Sequence, residues 1–380
     1  MNKPYNIVFL VTACKKSGPI QQMLSIFTYM DRNTFHPILV TLYDEPTDRT
    51  SQLQKYIDIG VEHYQVPISK MDVLLGRTGV LKKKLEELNP AIVHSLGVFP
   101  DYALSSMRFP NHVITLRNYV YEDYPVKFGK AKGTVLVKMH LYAMKHTDQT
   151  WTCSESLSRQ YENKLGLKFS FIRNGVSVSQ YHSVDENKKT ELRVALGLPA
   201  DKKIFVYAGQ FIARKDQRFL LELFKDSIEL KDKHFVLLGD GNDFDSLKSE
   251  FGNLANVLMP GSVYNVNEYL QASDIYIASS KSEGLPNGVL EAMATGLPVI
   301  LSNIEQHKEV YEANTSMGRL YKLGDKVDCL NQILALLDSD LKFRGHEAYK
   351  CAHEVFSAER MSNNYQKEYL KIIENTYVNS

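Results

Sequence analysis

The residues best suited to chemistry lie in one segment, where two glutamates flank a Gly-Leu-Pro turn. Glu283 and Glu291 are eight positions apart. A carboxylate only accepts hydrogen bonds, and it can accept from two hydroxyl groups at once. If both residues were helical, a rise of about 1.5 Å per residue would place them roughly 12 Å apart. A glycosidase carboxylate pair lies about 5 to 9.5 Å apart, so this pair is predicted to hold opposite ends of one long polar ligand.

The sequence around the two glutamates predicts a strand, a polar loop and a helix, in that order. Residues 275–278 are typical of a buried strand, residues 279–288 form the loop, and residues 289–294 begin the helix. A helix N-terminus offers free backbone N–H groups and the positive end of the helix dipole, which together attract phosphate. Gly284 and Gly288 leave the backbone open to close approach. A sugar nucleotide, with a diphosphate between two polyols, fits this pattern.

Four more segments accompany this motif in order along the chain, at residues 15–19, 172–176, 207–216 and 237–241. Together with the two glutamates they resemble the retaining GT-B glycosyltransferases of family 4, the "group 1" type. The resemblance covers most of the chain, and the collinear set is more specific than any one motif. It implies an α/β fold of two Rossmann-like domains whose parallel sheets face a central cleft. It also implies a C-terminal helix that crosses back to the N-terminal domain.

The resemblance implies a role for each matching residue on the donor side. Lys215 would act in catalysis by stabilising the leaving diphosphate, and Glu283 by contacting hydroxyls of the donor sugar. Glu291 would accept hydrogen bonds from the ribose. The alternative for both glutamates is a solvated charge near a helix N-terminus, which the dipole favours without any ligand. The other predicted donor-binding residues are Gly18, Gly209, Arg214, Gly284, Leu285, Pro286, Asn287 and Gly288.

Arg214 differs from the other members of this set because the family has its arginine at another position. The family commonly has an arginine where Gln210 stands, and this chain lacks it. Arg214 directly precedes Lys215, and its planar guanidinium can chelate phosphate oxygens in place of the missing arginine. The alternative is that Arg214 caps a surface turn.

The acceptor side departs from the family pattern. Many relatives have a Thr-x-His at the end of an N-terminal strand, and the comparable run here ends in Arg117 and Asn118. Neither side chain is a normal general base at neutral pH, which favours proton transfer assisted by the donor phosphate. We predict a catalytic role for Arg117, which could stabilise the leaving diphosphate or instead bind an anionic acceptor.

Three residues are predicted to bind the acceptor: His94, Asn118 and Tyr119. His94 ends a predicted strand, and the alternative for it is a hydrogen-bonded structural histidine. Tyr119 begins an aromatic and acidic segment that extends to residue 125. That segment suits stacking against a sugar, or it forms a packed loop.

The chain has 380 residues, 44% of them hydrophobic, which suits two domains of ordinary size. Predicted strands alternate with amphipathic helical runs, a pattern typical of parallel sheets covered by helices on both faces. The strands are predicted at residues 7–11, 37–42, 92–94, 112–116, 204–208, 235–239, 275–278 and 298–301. The polar stretch 179–203 predicts a linker. We place the N-terminal, acceptor-binding domain at 1–178 with a helix at 357–380, and the C-terminal, donor-binding domain at 179–356.

Charge and cysteine content narrow the partners. Residues 1–180 contain 22 Lys+Arg against 15 Asp+Glu, and the remainder has 23 against 29. The basic half hints at an anionic partner such as a membrane surface, or is simply solvated, and no nucleic-acid-binding motif accompanies it. Four cysteines without a Cys-x-x-Cys pair argue against structural zinc and favour a reducing compartment. We expect a cytoplasmic protein with no metal and no cofactor. The anionic partner would be the inner face of the cytoplasmic membrane, which the protein would contact peripherally.

These observations predict a retaining glycosyltransferase that acts on a nucleoside diphosphate sugar, with UDP as the expected nucleotide. The acceptor would be a glycan or a polyprenyl-diphosphate-linked glycan of a bacterial surface polysaccharide, O-antigen or capsule. Two alternatives stay open from sequence alone. One is a nucleotide-sugar 2-epimerase of the same fold, and the other is a non-catalytic protein that binds sugar nucleotides.

Overall fold

A computed structural model of the chain describes residues 3–48 and 50–378, and within them the chain divides into two compact units. The first unit contains the residues up to Gly175 and those from Ala358 onward. The second unit spans Val176–Ser357. Each unit is an α/β layer structure built on its own parallel sheet. The predicted pair of Rossmann-like, parallel α/β sheets is therefore confirmed.

The sheet of the first unit has seven strands among the described residues, in the order β3-β2-β1-β4-β5-β6-β7. All six neighbouring pairs are parallel. The central strands are apolar on both faces because helices cover both sides of the sheet. The strands are β1 Tyr5–Val11, β2 Phe35–Thr41, β3 Glu62–Gln65, β4 Ile92–Leu96, β5 His112–Leu116, β6 Gln149–Thr152 and β7 Ser170–Phe171.

The helices of this unit connect successive strands. Several begin directly after the carboxyl end of a strand, the usual place for ligand sites in α/β sheets. They are α1 Gly18–Thr28, α2 Leu53–Asp58, α3 Lys70–Leu74, α4 Gly79–Leu88, α5 Val98–Met107, α6 Val120–Phe128, α7 Lys130–Lys145 and α8 Glu155–Leu165.

The second unit has a parallel sheet in the order β10-β9-β8-β11-β12-β13. The order reverses between β8 and β11, so loops that leave these two strands meet at the switch point where such sheets bind ligands. The strands are β8 Ile204–Ala208, β9 His234–Leu238, β10 Val257–Gly261, β11 Ile275–Ala278, β12 Val299–Ser302 and β13 Gly318–Tyr321. The helices are α9 Glu186–Ala195, α10 Gln217–Asp226, α11 Phe244–Phe251, α12 Val266–Ala272, α13 Asn287–Ala294, α14 Glu305–Glu312, α15 Lys326–Leu337 and α16 Leu341–Glu354, with 3-10 turns at Ile228–Leu230 and Thr315–Met317.

The boundary between the units differs from the sequence prediction. We predicted it after residue 178, but the second unit begins at Val176, whose N–H donates to the carbonyl of Phe356 at 2.8 Å. The predicted linker at 179–203 is also wrong, because it contains helix α9. Asp185 caps that helix by accepting from the N–H of Lys188, and Leu192 is buried. Polar composition concealed an amphipathic helix with only a narrow buried face.

The last helix, α17 Ala358–Val378, belongs to the first unit. Met361, Tyr365, Tyr369 and Ile373 lie in the same core cluster as residues of β1 and α1. Ile372 is only partly buried. The last two positions of the predicted helix, 379 and 380, lie outside the described residues.

Candidate functional site

The predicted anion site lies in the second unit, where the loop after β11 leads into α13. The helix begins at Asn287 with Pro286 at its N-cap, two residues before the predicted start. Glu283 therefore lies in the loop, and the 12 Å separation that assumed two helical glutamates does not apply. Glu283 and Leu285 are buried, and Asn287 is partly exposed. The first turn of α13 contains no acidic residue.

Glu283 is the centre of a compact group of charges. One oxygen, Oε2, accepts from Nη1 of Arg214 at 3.0 Å. The other, Oε1, accepts from Nζ of Lys215 and from the hydroxyl of Ser280, the latter at 2.7 Å. Arg214 also donates to the carbonyl of Ser282 at 3.0 Å. We call Arg214, Lys215 and Glu283 the charge triad; its formal charge is positive, since two cations surround one carboxylate.

The carboxyl group of Glu283 is ionised at neutral pH. Burial raises the pKa of Glu283, but the charges of Lys215 and Arg214 outweigh burial and hold this pKa at about 2. Burial lowers the pKa of Lys215, an effect that the carboxylate of Glu283 opposes. Low dielectric strengthens both interactions, so the triad is a fixed, water-poor source of positive potential.

The glycine at the first turn of α13 has a different purpose from the predicted one. We predicted that Gly288 leaves room for a ligand. A Cβ on Gly288 would lie 2.6 Å from Oη of Tyr276 and 2.8 Å from the carbonyl oxygen of Ala208. The Tyr276 hydroxyl itself donates to that carbonyl at 3.2 Å. Gly288 therefore allows α13 to pack closely on the sheet, which positions the loop before it.

Replacing Gly288 with alanine should destabilise the protein by about 1 to 3 kcal/mol, because the added methyl group overpacks a closed contact. Since the displaced element is the start of α13, affinity for nucleoside diphosphates should fall as well. Urea unfolding and calorimetric titration with UDP measure the two effects. Gly79→Ala is the control, because a Cβ on Gly79 meets nothing within 4 Å. Equal stability of the two variants would contradict the packing argument.

Glu291 lies on α13, where the hydroxyl of Tyr181 donates a hydrogen bond to its carboxylate. Burial, and then the charge of Glu291, raise the pKa of Tyr181. Gly209 follows β8 and lies beside Lys215, since a Cβ on it would be 3.8 Å from the lysine Cε. The structure thus brings Gly209 and the triad together and places Glu291 on the helix that starts at the same loop.

Two residues near the triad and one beside Glu291 were missed by sequence reasoning. No motif assigned a role to Ser280, but its hydroxyl donates a hydrogen bond to the carboxylate of Glu283. Tyr181 lies in the stretch that we took for a linker. His307 is fully buried, and its Nδ1 donates to the carbonyl of Ser302 at 2.9 Å. Burial lowers the pKa of His307 to about 4 despite the nearby charge of Glu283. No motif pointed to His307, which lies six positions after the end of the predicted strand 298–301.

The predicted acceptor residues lie in the first unit, and two of them are corrected here. His94 is 2% exposed, and its ring nitrogens bind Tyr369 at 2.6 Å and Thr115 at 2.9 Å. It is the structural histidine that we kept as the alternative, and it cannot contact an acceptor. Tyr119 is also buried, with its ring 5.1 Å from that of Tyr161. The segment after Tyr119 is helix α6 and not a loop.

Arg117 and Asn118 directly follow β5, at the strand end where the sequence placed them. Arg117 follows β5 and is partly exposed, with Nη1 donating to Oδ1 of Asn174 at 2.5 Å. The carbonyl of Asn118 accepts from the hydroxyl of Tyr161, and its side chain is partly exposed. Gly18 is the first residue of α1, directly after the N-cap Ser17.

Neither a metal-binding cluster nor a membrane-spanning helix is found among the described residues. No group of three or more His, Cys, Asp or Glu side chains there is arranged to hold a metal ion. Across the same residues, no helix combines the length and the apolar character that crossing a membrane requires.

Sequence comparison relates the chain to known proteins. Residues 188–350 match the family described as glycosyl transferases group 1. The chain is 31% identical over 266 residues to the capsular polysaccharide biosynthesis glycosyltransferase CapH of Staphylococcus aureus, which covers 66% of this chain and 69% of CapH. It is 27% identical over 311 residues to an Escherichia coli UDP-Gal:alpha-D-GlcNAc-diphosphoundecaprenol alpha-1,3-galactosyltransferase, covering 75% of this chain and 77% of that enzyme.

Structural comparison supports the same fold. Anabaena HepE, solved in complex with UDP, superposes with a TM-score of 0.77. The superposition covers 96% of this chain and all of HepE, at 14% sequence identity.

Proposed function

We propose that this chain, which belongs to the glycosyl transferases group 1 family, transfers a hexose or N-acetylhexosamine from a nucleoside diphosphate sugar with retention of configuration. The observation that carries the proposal is the charge triad beside the start of α13. Its two cations exceed its one carboxylate, and the positive end of the α13 dipole lies at the same loop. A diphosphate is the ligand that this combination suits best.

In this reaction the leaving diphosphate is the group that most needs electrostatic stabilisation. The bond between the anomeric carbon and the diphosphate oxygen breaks, and the acceptor oxygen bonds to the same face of the sugar. The acceptor hydroxyl proton passes to the departing phosphate oxygen. Negative charge grows on that diphosphate, and preorganised donors such as Lys215 and Arg214 stabilise it by about 3 to 4 kcal/mol each. Glu283 holds both cations in place and has further lone pairs for sugar hydroxyls.

The substrates follow from the relatives. The Escherichia coli relative is named for UDP-galactose and a diphosphoundecaprenol-linked acceptor, and CapH for capsular polysaccharide biosynthesis. We assign a UDP-sugar as donor and a glycan or polyprenyl-diphosphate-linked glycan as acceptor, in assembly of a bacterial surface polysaccharide. Neither a metal nor a cofactor is part of the proposal, because the triad supplies the positive charge.

The deciding experiment is a thermal-shift screen against UDP- and GDP-sugars, followed by mass spectrometry of reactions with the donor that stabilises most. Binding raises the melting temperature in proportion to ln(1 + [L]/Kd). Transfer to a prenyl-diphosphate-linked sugar is the expected result. A C2 epimer formed without acceptor would replace the proposal with an epimerase, and tight binding without transfer or hydrolysis would replace it with a binding protein.

Glu291→Ala should weaken UDP binding about tenfold or more, because the ribose hydroxyls lose a charged acceptor. Turnover at saturating donor should change less than affinity. Calorimetric titration with UDP measures the first effect and steady-state kinetics the second. Tyr181→Phe is a useful companion, since it keeps the carboxylate and removes only the hydroxyl that occupies it. An unaltered UDP Kd in Glu291→Ala would remove the ribose role.

We further propose peripheral contact with the inner face of the cytoplasmic membrane through α7 and the end of α6. Residues 124–147 contain no Asp or Glu, and exposed lysines alternate there with exposed apolar side chains. The lysine face consists of Lys127, Lys130, Lys132, Lys138 and Lys145, with Val126, Phe128, Val135 and Tyr142 exposed beside them. Lysines near an anionic leaflet contribute about 1 kcal/mol each, and apolar side chains can enter the interface.

Changing Lys130, Lys132 and Lys138 to glutamine should reduce binding to vesicles that contain phosphatidylglycerol, because three attractive charges are lost. Flotation of the protein with such vesicles measures the effect. A triple change at the exposed lysines 225, 248 and 342 of the second unit is the control of equal charge. High salt should weaken binding of the parent protein, since surface charges are screened. Equal flotation of both triple variants would contradict the assignment of this face.

A further inference from the structure

Arg117 is a partly buried cation that lacks a negative partner. Its Nη1 donates to Asn174, and the guanidinium also hydrogen bonds to the hydroxyl of Tyr365. Both partners are neutral. The Nε–H is buried and has no hydrogen-bond partner in the part of the chain that the structure describes. Arg117 forms no ion pair with any of the described residues. No carboxylate oxygen among them therefore lies within 4.0 Å of its guanidinium nitrogens.

Two other shielded arginines are paired with carboxylates. Arg193 binds Asp274 at 2.7 Å, and Arg214 binds Glu283 at 3.0 Å. His94, an ionisable neighbour of Arg117, supplies no negative charge to balance it. Burial, followed by the charge of Arg117, lowers the pKa of His94 well below its usual value, so this imidazole is neutral. A shielded cation without a counter-charge is unfavourable unless an anion completes the site.

The place of Arg117 in the sheet suits a ligand. It directly follows β5, at the edge where the carboxyl ends of parallel strands and the helices after them meet. Asn174 and Tyr365 hold the guanidinium from two directions, so its orientation is fixed before any ligand binds. The side chain is partly exposed, which leaves the remaining N–H groups within reach of a ligand.

We infer that Arg117 binds a phosphate group of the acceptor substrate, held against the first unit. A guanidinium donates only, and its planar fork matches two phosphate oxygens. The donor diphosphate is already provided for in the second unit by Lys215, Arg214 and the start of α13. The inference rests on the proposed function, and it makes Arg117 a substrate-binding residue with a specific partner, the phosphorylated end of a lipid-linked or soluble acceptor.

The test is calorimetric titration at saturating UDP, which occupies the proposed donor site, with geranyl diphosphate, geraniol and inorganic pyrophosphate as probes. The variants are Arg117→Lys, which keeps the charge without the fork, and Arg117→Gln. Arg159→Gln is the matched control, because Arg159 is exposed on the first unit. Melting temperatures identify any variant that fails to fold, and in that case Arg117→Lys carries the comparison.

Arg117→Gln should weaken geranyl diphosphate binding about tenfold or more, the lysine variant less, and the control not at all. UDP affinity should be unchanged in every variant. The same dependence with pyrophosphate supports a site for free phosphate groups, and dependence with geranyl diphosphate alone supports a lipid-linked source. Equal affinity in all variants, or no binding of either diphosphate to the parent, overturns the inference.

Two outcomes separate this inference from the proposed function. If Arg117→Gln weakens UDP binding instead, the guanidinium serves the donor diphosphate, and the acceptor assignment is wrong although the enzyme assignment stands. If the parent protein binds no UDP or UDP-sugar, the proposed function fails before the acceptor probes are added.

Discussion

Changing Lys215 to alanine should lower turnover about 100- to 1000-fold, the usual effect of removing one preorganised donor from a developing negative charge. Lys215 is 15% exposed, and its ammonium group binds Glu283 with donors left over for a ligand. Ground-state affinity should fall less than turnover, because charge on the diphosphate grows only as the sugar departs. Initial rates at saturating donor and acceptor, with UDP release as the readout, measure the effect.

Lys225→Ala is the control for this prediction, because Lys225 is an exposed lysine on α10 of the same unit. Its turnover should match that of the parent protein. A turnover of Lys215→Ala equal to that of the control would exclude the lysine from leaving-group stabilisation. If Lys215→Ala lowers both the melting temperature and the activity, Lys215→Arg distinguishes unfolding from loss of the cation, because it keeps the charge.

Changing Glu283 to glutamine should destabilise the protein by about 3 to 5 kcal/mol, because two shielded cations lose the carboxylate that both of them bind. Glu283 is 5% exposed, and no solvent replaces the missing charge. Turnover should also fall strongly, since Arg214 and Lys215 lose the group that orients them. Urea-induced unfolding followed by circular dichroism measures the stability change, and the same samples serve for the rate.

The stability difference between the parent protein and Glu283→Gln should depend on pH. The pKa of Glu283 is about 2 in the folded protein against an ordinary value of 4.5. The lowered pKa means that the stabilisation is complete above pH 4.5 and is lost as pH falls toward 2. The difference in unfolding free energy between parent and Glu283→Gln should therefore shrink over that interval.

The control for Glu283→Gln is Glu250→Gln, which removes an exposed carboxylate that pairs with Arg218 on the surface. Exposed pairs contribute about 0 to 1 kcal/mol, so this variant should be nearly as stable as the parent. If Glu283→Gln unfolded at the same urea concentration as the control, the triad would not be the tightly coupled group that the geometry indicates.

Sequence patterns were sufficient for the buried strands at the centre of each sheet. Strands β5, β8 and β11 have the bounds predicted, since runs of β-branched and aromatic residues are typical of strands covered on both faces. The edge strands were missed. β7 has two exposed residues, and β13 contains a glycine and an arginine, so neither contrasts with the loops around it.

By itself the sequence determined the fold class and the family, because these depend on local periodicity and on motifs read in order. Tertiary structure alone decided what each residue contacts. His94 is closed off by Tyr369, 275 positions away, and Gly288 is required by the close approach of Tyr276. Arg117 proved to have no carboxylate beside it among the described residues. The physical reason is that burial and charge pairing arise between segments distant in the chain, and no local pattern encodes which of them will meet.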